Sequence, residues 1–315
     1  MRTVILAGFL ALAGWTVAPA RAAAQEPPSL EVIPVQGNVY MLQTSTAGGN
    51  MAVLAGPDGV LLVDDQIRSL TESVVEGVRA ITEEPIRFVV NTHVHIDHIG
   101  GNEPLAERGA TIVAHENVRT RMLKELRIPR GGGRFFPQPP AEALPLQTYE
   151  SSMTFHMNGE EVRVLHVPPS HTDGDSFVYF TDSDVLHTGD VFRTNMYPIV
   201  DVYNGGTIAG MIEAMEIAVG MAGPDTKVIP GHGFGFTDRD GLIEVRDMLV
   251  DLRAEITGMI EVGMNLEDVM AAEPTAEYDE RWLGEVGPDG VPSWGPRDLV
   301  PIIYFEAGGG PPTVR

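Results

Sequence analysis

The chain of 315 residues has no cysteine. No disulfide can staple it, and no thiol follows the N-terminal apolar stretch to carry a lipid anchor. Lysine is nearly as scarce, occurring only at 124 and 227. Against 21 Lys and Arg stand 44 Asp and Glu, a formal net charge of −23 at pH 7. Such a surface repels phosphate backbones, which argues against RNA or DNA as partners and leaves a small-molecule substrate. The excess of acid reads as adaptation to a saline habitat or an acidic proteome rather than as substrate steering. At the N-terminus an apolar run is present but short. Residues 4–17 follow Arg2, and Pro19 and Arg21 close the run before it reaches a membrane-spanning length. Small residues at Ala20-Arg21-Ala22 or Ala22-Ala23-Ala24 offer cleavage steps. Residues 1–24 are therefore expected to be a signal peptide. The mature chain is expected to be periplasmic or secreted, with no stable membrane insertion.

What the chain does have is concentrated in Thr92-His93-Val94-His95-Ile96-Asp97-His98. Histidine is uncommon, and three of them with an interleaved Asp are a far stronger signal than a lone HxH. The preceding Ile86-Arg87-Phe88-Val89-Val90-Asn91 reads as a buried strand; the following residues turn and become helical. The cluster thus falls where a strand ends and a helix begins, the edge at which α/β sheets bind ligands. Residues two apart on extended backbone point the same way, so His93 and His95 can grip one ion. Asp97 and His98 turn with the new helix and can face a second. Imidazoles with a carboxylate suit zinc, with iron or manganese also compatible.

Three later segments repeat the pattern of an apolar strand running into a polar turn. His171 lies in Pro168-Pro169-Ser170-His171-Thr172-Asp173-Gly174, Asp190 ends Val185-Leu186-His187-Thr188-Gly189-Asp190, and His232 sits in Val228-Ile229-Pro230-Gly231-His232-Gly233. All can converge on one sheet edge. A carboxylate such as Asp190 can bridge two cations with its two oxygens.

In these motifs and their order, from about Ile33 to about Asp238, the chain resembles the metallo-β-lactamase-fold hydrolases. The resemblance implies a four-layer αββα sandwich holding two Zn²⁺. His93, His95 and His171 would hold the first ion, Asp97, His98 and His232 the second, and Asp190 would bridge. Asp64 matches an early aspartate that supports the ligands, although its neighbour Asp65 leaves that assignment open. His187 is a candidate partner for Asp190 from behind. The seven-ligand set is similar to glyoxalase II and the N-acyl-homoserine-lactone lactonases. Dedicated metallo-β-lactamases carry Cys or Ser where Asp190 stands, and the acidic surface argues against a nuclease of this superfamily.

The expected reaction is hydrolysis of a small ester, lactone, thioester, amide or lactam bond by hydroxide generated on the metals. Asp97 would accept the proton. Tyr197 or Asn195, shortly after Asp190, are candidate oxyanion donors. Export favours small cyclic esters or amides over cytosolic glutathione thioesters. The rivals are a mononuclear-iron sulfur dioxygenase on the same fold, a promiscuous metallo-β-lactamase, and a metal-dependent binding protein without catalysis. His115, His156 and His166 read as structural, and Asp173 and Asp175 as loop caps.

Strands are expected at 31–36, 39–43, 51–55, 60–63 and 86–91, then at 153–156, 161–167, 176–181, 184–186 and 227–229. Helices are expected at 71–82, 104–107, 116–125 and 208–221. The spans suggest a domain over 30–240 with a helical extension, 241–315, packed on it. In that extension Leu242, Val245, Leu249, Leu252, Ile256 and Met259 form one apolar helical face. Trp282, Trp294 and Tyr304 supply packing, and the final Gly/Pro run reads as disordered. The long loop 127–150, with Phe135 and Phe136, is expected either to cover substrate or to anchor itself on the sheet.

Overall fold

The computed structural model describes residues 30–44, 48–129, 133–284 and 292–310. The expected signal segment, and the tail from residue 311, lie outside these.

The first sheet orders its strands β1 (Leu30–Gln36), β2 (Val39–Thr44), β3 (Met51–Leu54), β4 (Val60–Val63), β5 (Ile86–Asn91), β6 (Thr111–His115) and β9 (Gln147–Tyr149). Pairing is antiparallel up to β4 and parallel from β4 to β9. A small hairpin, β7 (Leu126–Ile128) with β8 (Arg134–Phe136), stands apart. The second sheet runs β10 (Ser152–Met157), β11 (Glu160–His166), β12 (Ser176–Phe180), β13 (Val185–His187), β14 (Lys227–Ile229), with only the last pair parallel.

Side-chain alternation along the strands explains the layering. Met41, Ala52, Leu54, Leu61, Val63 and Val90 point inward and meet Val162, Val164, Val178 and Phe180 of the second sheet. Their neighbours Leu42, Val53, Leu62 and Val89 point outward onto α1 (Thr71–Arg79) and α3 (Asn102–Glu107). These central strands are covered on both faces, so they are apolar throughout rather than alternating with polar residues. Two short helices flank the parallel edge, α2 (Ile96–Ile99) and α4 (Glu116–Met122). On the other side, Phe177, Leu186 and Val228 pack against α5 (Ile208–Met221) and α6 (Arg239–Glu261). The fold is the αββα sandwich.

The apolar stripe of α6 is core: Leu242, Val245, Leu249, Leu252 and Ile256 are fully buried and Met259 packs partly against them. They join one cluster with Trp282 of α8 (Ala276–Trp282), Trp294, and Leu299 and Tyr304 of α9 (Pro296–Glu306); α7 (Leu266–Ala271) adds Val269. Each such buried side chain contributes about 1.5–3 kcal/mol of transfer free energy, so these helices are part of the second sheet's core.

The sequence reading passes over β6 and β9. The loop 127–150 holds β8 and β9. Of its two phenylalanines, Phe136 packs against the cluster that includes Ile99 and Met122, whereas Phe135 is exposed with Arg127 over its ring.

Candidate metal centre

Strand ends from both sheets carry the site. His93 and His95 follow β5, with His95 immediately before α2; Asp97 and His98 lie within α2. His171 follows β11, Asp190 sits in the turn after β13, and His232 follows β14. One atom from each of His93, His95, His171 and Asp190 falls within 4.8 Å of the others, and the same holds for Asp97, His98 and His232. All seven residues read from the sequence as ligands are therefore brought together, in two adjoining groups.

The hydrogen bonds behind the rings decide which nitrogen points inward. His171 Nδ1–H donates to the Ile199 carbonyl at 2.7 Å, leaving Nε2 as the inward lone pair. His95 Nε2–H donates to Asp201 Oδ2 at 2.8 Å, so its inward atom is Nδ1. Thr92 Oγ1–H donates to Asp64 Oδ2 at 2.8 Å, so that hydroxyl accepts from His93 Nδ1–H at 3.0 Å. His98 Nδ1–H donates to the same Asp64 oxygen at 2.7 Å. Such backing fixes ring orientation and raises the basicity of the opposite nitrogen.

The inward atoms fit a cation. His171 Nε2 and His95 Nδ1 face each other at 3.0 Å, and two lone pairs at that distance repel unless a positive charge lies between them. His93 Nε2 is buried with no hydrogen-bond partner among the described residues. Tetrahedral zinc with nitrogens at 2.0–2.1 Å requires them about 3.3 Å apart; His98 Nε2 and His232 Nε2 are 3.3 Å apart. Asp190 touches both groups. Its Oδ1 is 3.3 Å from His98 Nε2, and its Oδ2 is 3.3 Å from His232 Nε2 and 3.8 Å from His171 Nε2. Asp97 Oδ2 is 3.2 Å from His232 Nε2.

Electrostatics separate the groups. Burial, reinforced by neighbouring imidazoles, holds His171 down at about 3 and His93 well below the usual imidazole value. His98 goes the other way: burial opposes its charge, but Asp64 and Asp190 outweigh it and hold the ring well above that value. Burial would raise Asp190, yet His232 and His98 keep it well below the ordinary carboxylate range. Asp97 is depressed too, chiefly by His232 and His98 against its burial.

Close packing makes these distances possible. A Cβ on Gly231 would lie 2.2 Å from Asp190 Oδ1, so only glycine lets the His232 loop pass the carboxylate. Asn50 clamps that loop, donating through Nδ2 to the Pro230 and Gly233 carbonyls at 3.0 and 3.2 Å. Asp64 and Gln66 adopt left-handed backbone, φ 60° and 66°, a cost borne next to the site by non-glycine residues.

The Asp64 and Asp65 ambiguity is resolved: Asp64 serves His98 and Thr92, while Asp65 Oδ1 accepts from the Gly101 backbone. His187 does not touch the Asp190 carboxylate. Its Nδ1 accepts from Gly189 N–H and its Nε2–H donates to the Asn50 carbonyl, so it holds the turn before Asp190.

Tyr197 requires a correction. Its fully buried hydroxyl donates to Asp279 Oδ1 at 2.8 Å and lies 3.2 Å from the Thr275 carbonyl, in the helical core and not at the metals. Closeness to Asp190 along the chain gave no information on direction. Asn195 accepts from Arg193. Sequence reasoning missed Asp201 and Asn50, which lie in loops without a motif. Of the remaining histidines, His115 and His166 stack at 3.6 Å, and His156 is exposed. Asp175 caps the turn at Ser170 and Thr172, whereas Asp173 pairs with Arg121.

The family model described as the metallo-beta-lactamase superfamily matches residues 34–257. Hydroxyacylglutathione hydrolases of Brucella ovis and Brucella abortus are each 30% identical over 208 residues, 62% of this chain and 70% of theirs. Among solved structures, a metallo-beta-lactamase from Pontibacter korlensis superposes with a TM-score of 0.58 at 18% identity, covering 71% of this chain and all of that one. The sec-alkylsulfatase Pisa1 from Pseudomonas sp. gives 0.57 at 18% identity, over 78% of this chain and 45% of its own. These two likenesses concern the fold.

Proposed function

The chain belongs to the metallo-beta-lactamase superfamily, and from that premise we propose an exported dinuclear-zinc hydrolase that cleaves a small ester, lactone or thioester. The observation that carries the reading is the Asp190 carboxylate, which lies between the ligand groups: Oδ1 faces His98, and Oδ2 faces both His232 and His171. In the dinuclear reading His93, His95 and His171 would hold one ion and Asp97, His98 and His232 the other, with Asp190 available to both. A metal pair supplies a water acidified toward neutral pH and polarises the carbonyl oxygen of the scissile bond.

The chain's own residues shape the rest. Asp97 is the most open of the seven, its side chain 28% exposed, so it is the carboxylate that meets entering solvent and substrate. Its depressed pKa keeps it ionised, able to accept a hydrogen bond from the attacking water and orient it. Lactams are poor candidates. The two lysines lie outside the site segments, and Arg193 is buried, with Nη1 3.8 Å from the Asp190 carboxylate. The relatives named hydroxyacylglutathione hydrolases favour an acyl thioester among the possible substrates. Export rests on the apolar run at 4–17 and the alanine-rich steps after it. Among the described residues no helix is long and apolar enough to cross a membrane.

Metal analysis followed by kcat/KM on an acyl thioester, a homoserine lactone, an aryl ester and nitrocefin tests the reading. Two zinc ions with acyl transfer to water are expected, and activity is expected to vanish with a chelator. One iron with oxygen uptake, or a lactam kcat/KM above about 10⁶ M⁻¹s⁻¹, overturns it. N-terminal mass determination on exported material tests cleavage, expected between about Ala22 and Gln25; an intact Met1 on cytosolic protein refutes export.

A further inference from the structure

The two side chains read from the sequence as oxyanion donors are engaged elsewhere, Tyr197 with Asp279 and Asn195 with Arg193. A backbone amide fills that role. We propose that the N–H of Gly49, positioned by Gln66, donates to the substrate oxygen that becomes negative during hydrolysis. The inference rests on the hydrolase reading above.

Position comes first. Gly49 is buried and presses on the inward edge of His98: a Cβ there would lie 2.5 Å from His98 Cε1 and 2.8 Å from Nε2. The next residue, Asn50, donates its backbone N–H to the Gly231 carbonyl at 2.7 Å, directly before His232. The segment 48–50 therefore runs from one imidazole of the second ligand group to the loop of the other. The Gly49 nitrogen is about 1.5 Å from its Cα, so this amide lies beside that group.

Hydrogen bonding comes next. The peptide that follows Gly49 is fixed at both ends, its carbonyl by Gln66 Nε2 at 2.7 Å and its N–H by Gly231. The N–H of the preceding peptide, that of Gly49 itself, has no acceptor among the described residues. Orphaned N–H groups on buried backbone are rare, and one beside a catalytic centre can serve a ligand oxygen. Gln66 is built to hold the segment. It is fully buried in left-handed backbone, φ 66°, and its Oε1 accepts from the Ile67 N–H at 3.0 Å. Gly48 packs on the same side-chain amide, where a Cβ would lie 2.3 Å from Gln66 Nε2.

The reaction needs only water as its second reactant. Water adds through its oxygen to the carbonyl carbon, and the C=O pair moves onto the carbonyl oxygen, the atom that takes the Gly49 N–H. That pair returns as the bond to the leaving oxygen breaks, and the leaving oxygen gains the proton that water lost. A donor aimed at developing charge raises kcat more than it tightens substrate binding.

The test uses the zinc-loaded full chain, isotope-labelled for NMR, with sodium acetate as the oxyanion probe and calorimetry to establish its saturation. The Gly49 amide proton is expected to move downfield and to exchange more slowly with solvent as acetate saturates. Gln66→Glu sets a carboxylate against the Gly49 carbonyl, and Gln66→Met removes the bond without adding charge. Each should lower kcat on p-nitrophenyl acetate by about 10²-fold, with KM and zinc content nearly unchanged, and should abolish the acetate shift. Variants that lose stability but keep kcat per bound zinc would make Gln66 purely structural and overturn the proposal. A Gly49 resonance that ignores bound acetate, in a protein that cleaves the ester, would also overturn it and leave the hydrolase reading intact. If no ester is cleaved yet acetate shifts the resonance and both variants abolish the shift, the amide stands as an oxyanion donor and the reaction class falls.

Discussion

The two ligand groups differ in how they are held. His93, His95 and His171 are enclosed, and each ring is fixed from behind by a separate acceptor: Thr92, Asp201 and the Ile199 carbonyl. In the second group only His98 has such a brace, from Asp64, and Asp97 is partly open to solvent. The first group is thus preorganised, with His93 and His171 held below the usual imidazole value, whereas His98 of the second group is held above it. The proposed metal pair is therefore expected to be asymmetric, with a tight first ion and a looser second one beside the solvent-facing carboxylate.

Asp190→Ala removes what the groups share and should have the largest effect. The second ion is expected to be lost and kcat to fall by on the order of 10³, with circular dichroism unchanged. Full turnover with both ions retained would show that Asp190 does not bridge. Asp64→Asn comes next, because Asp64 supports His98 directly and His93 through Thr92. Metal affinity should drop by about 10–100-fold in both steps of a titration. Asp201→Asn should instead weaken only the first step, within the same range, since Asp201 braces His95 alone among the ligands.

Acid should sharpen the contrast. His98 is raised, so an ion entering the second group displaces a proton, and its affinity falls as the pH drops below that raised value. The loss is about tenfold per pH unit for one proton. His93 and His171 are depressed, so neither ring holds a proton for the first ion to displace between pH 7.5 and 5.5, and the first step should change less than the second. Equal slopes for the two steps would remove the electrostatic distinction. The smallest effect belongs to Tyr197→Phe: about 1 kcal/mol of stability by denaturant unfolding and no change in kcat, because its hydroxyl serves the helical core.

The sequence disclosed what is local. The ligands sit at strand ends whose apolar runs are readable, and β5, α5 and β14 fall where periodicity places them. The αββα layers follow from strands apolar on both faces. What stayed hidden depends on contacts between distant segments. Asp201 meets His95 across 106 positions of chain, and Asn50 reaches the His232 loop across 180 and more. The three residues of β9, Gln147–Tyr149, lack a strand pattern and are ordered by pairing with β6. Tyr197 misled because sequence distance from Asp190 carries no direction.

Stepwise zinc loading of the metal-free protein, followed with a competing chelator at two pH values while hydrolysis is monitored, tests the asymmetric pair most directly. Two equivalents are expected: a tight one with the smaller pH dependence, then a weaker one that releases about one proton and brings full activity. Saturation at a single equivalent, or two steps of equal affinity and equal pH dependence, would contradict it.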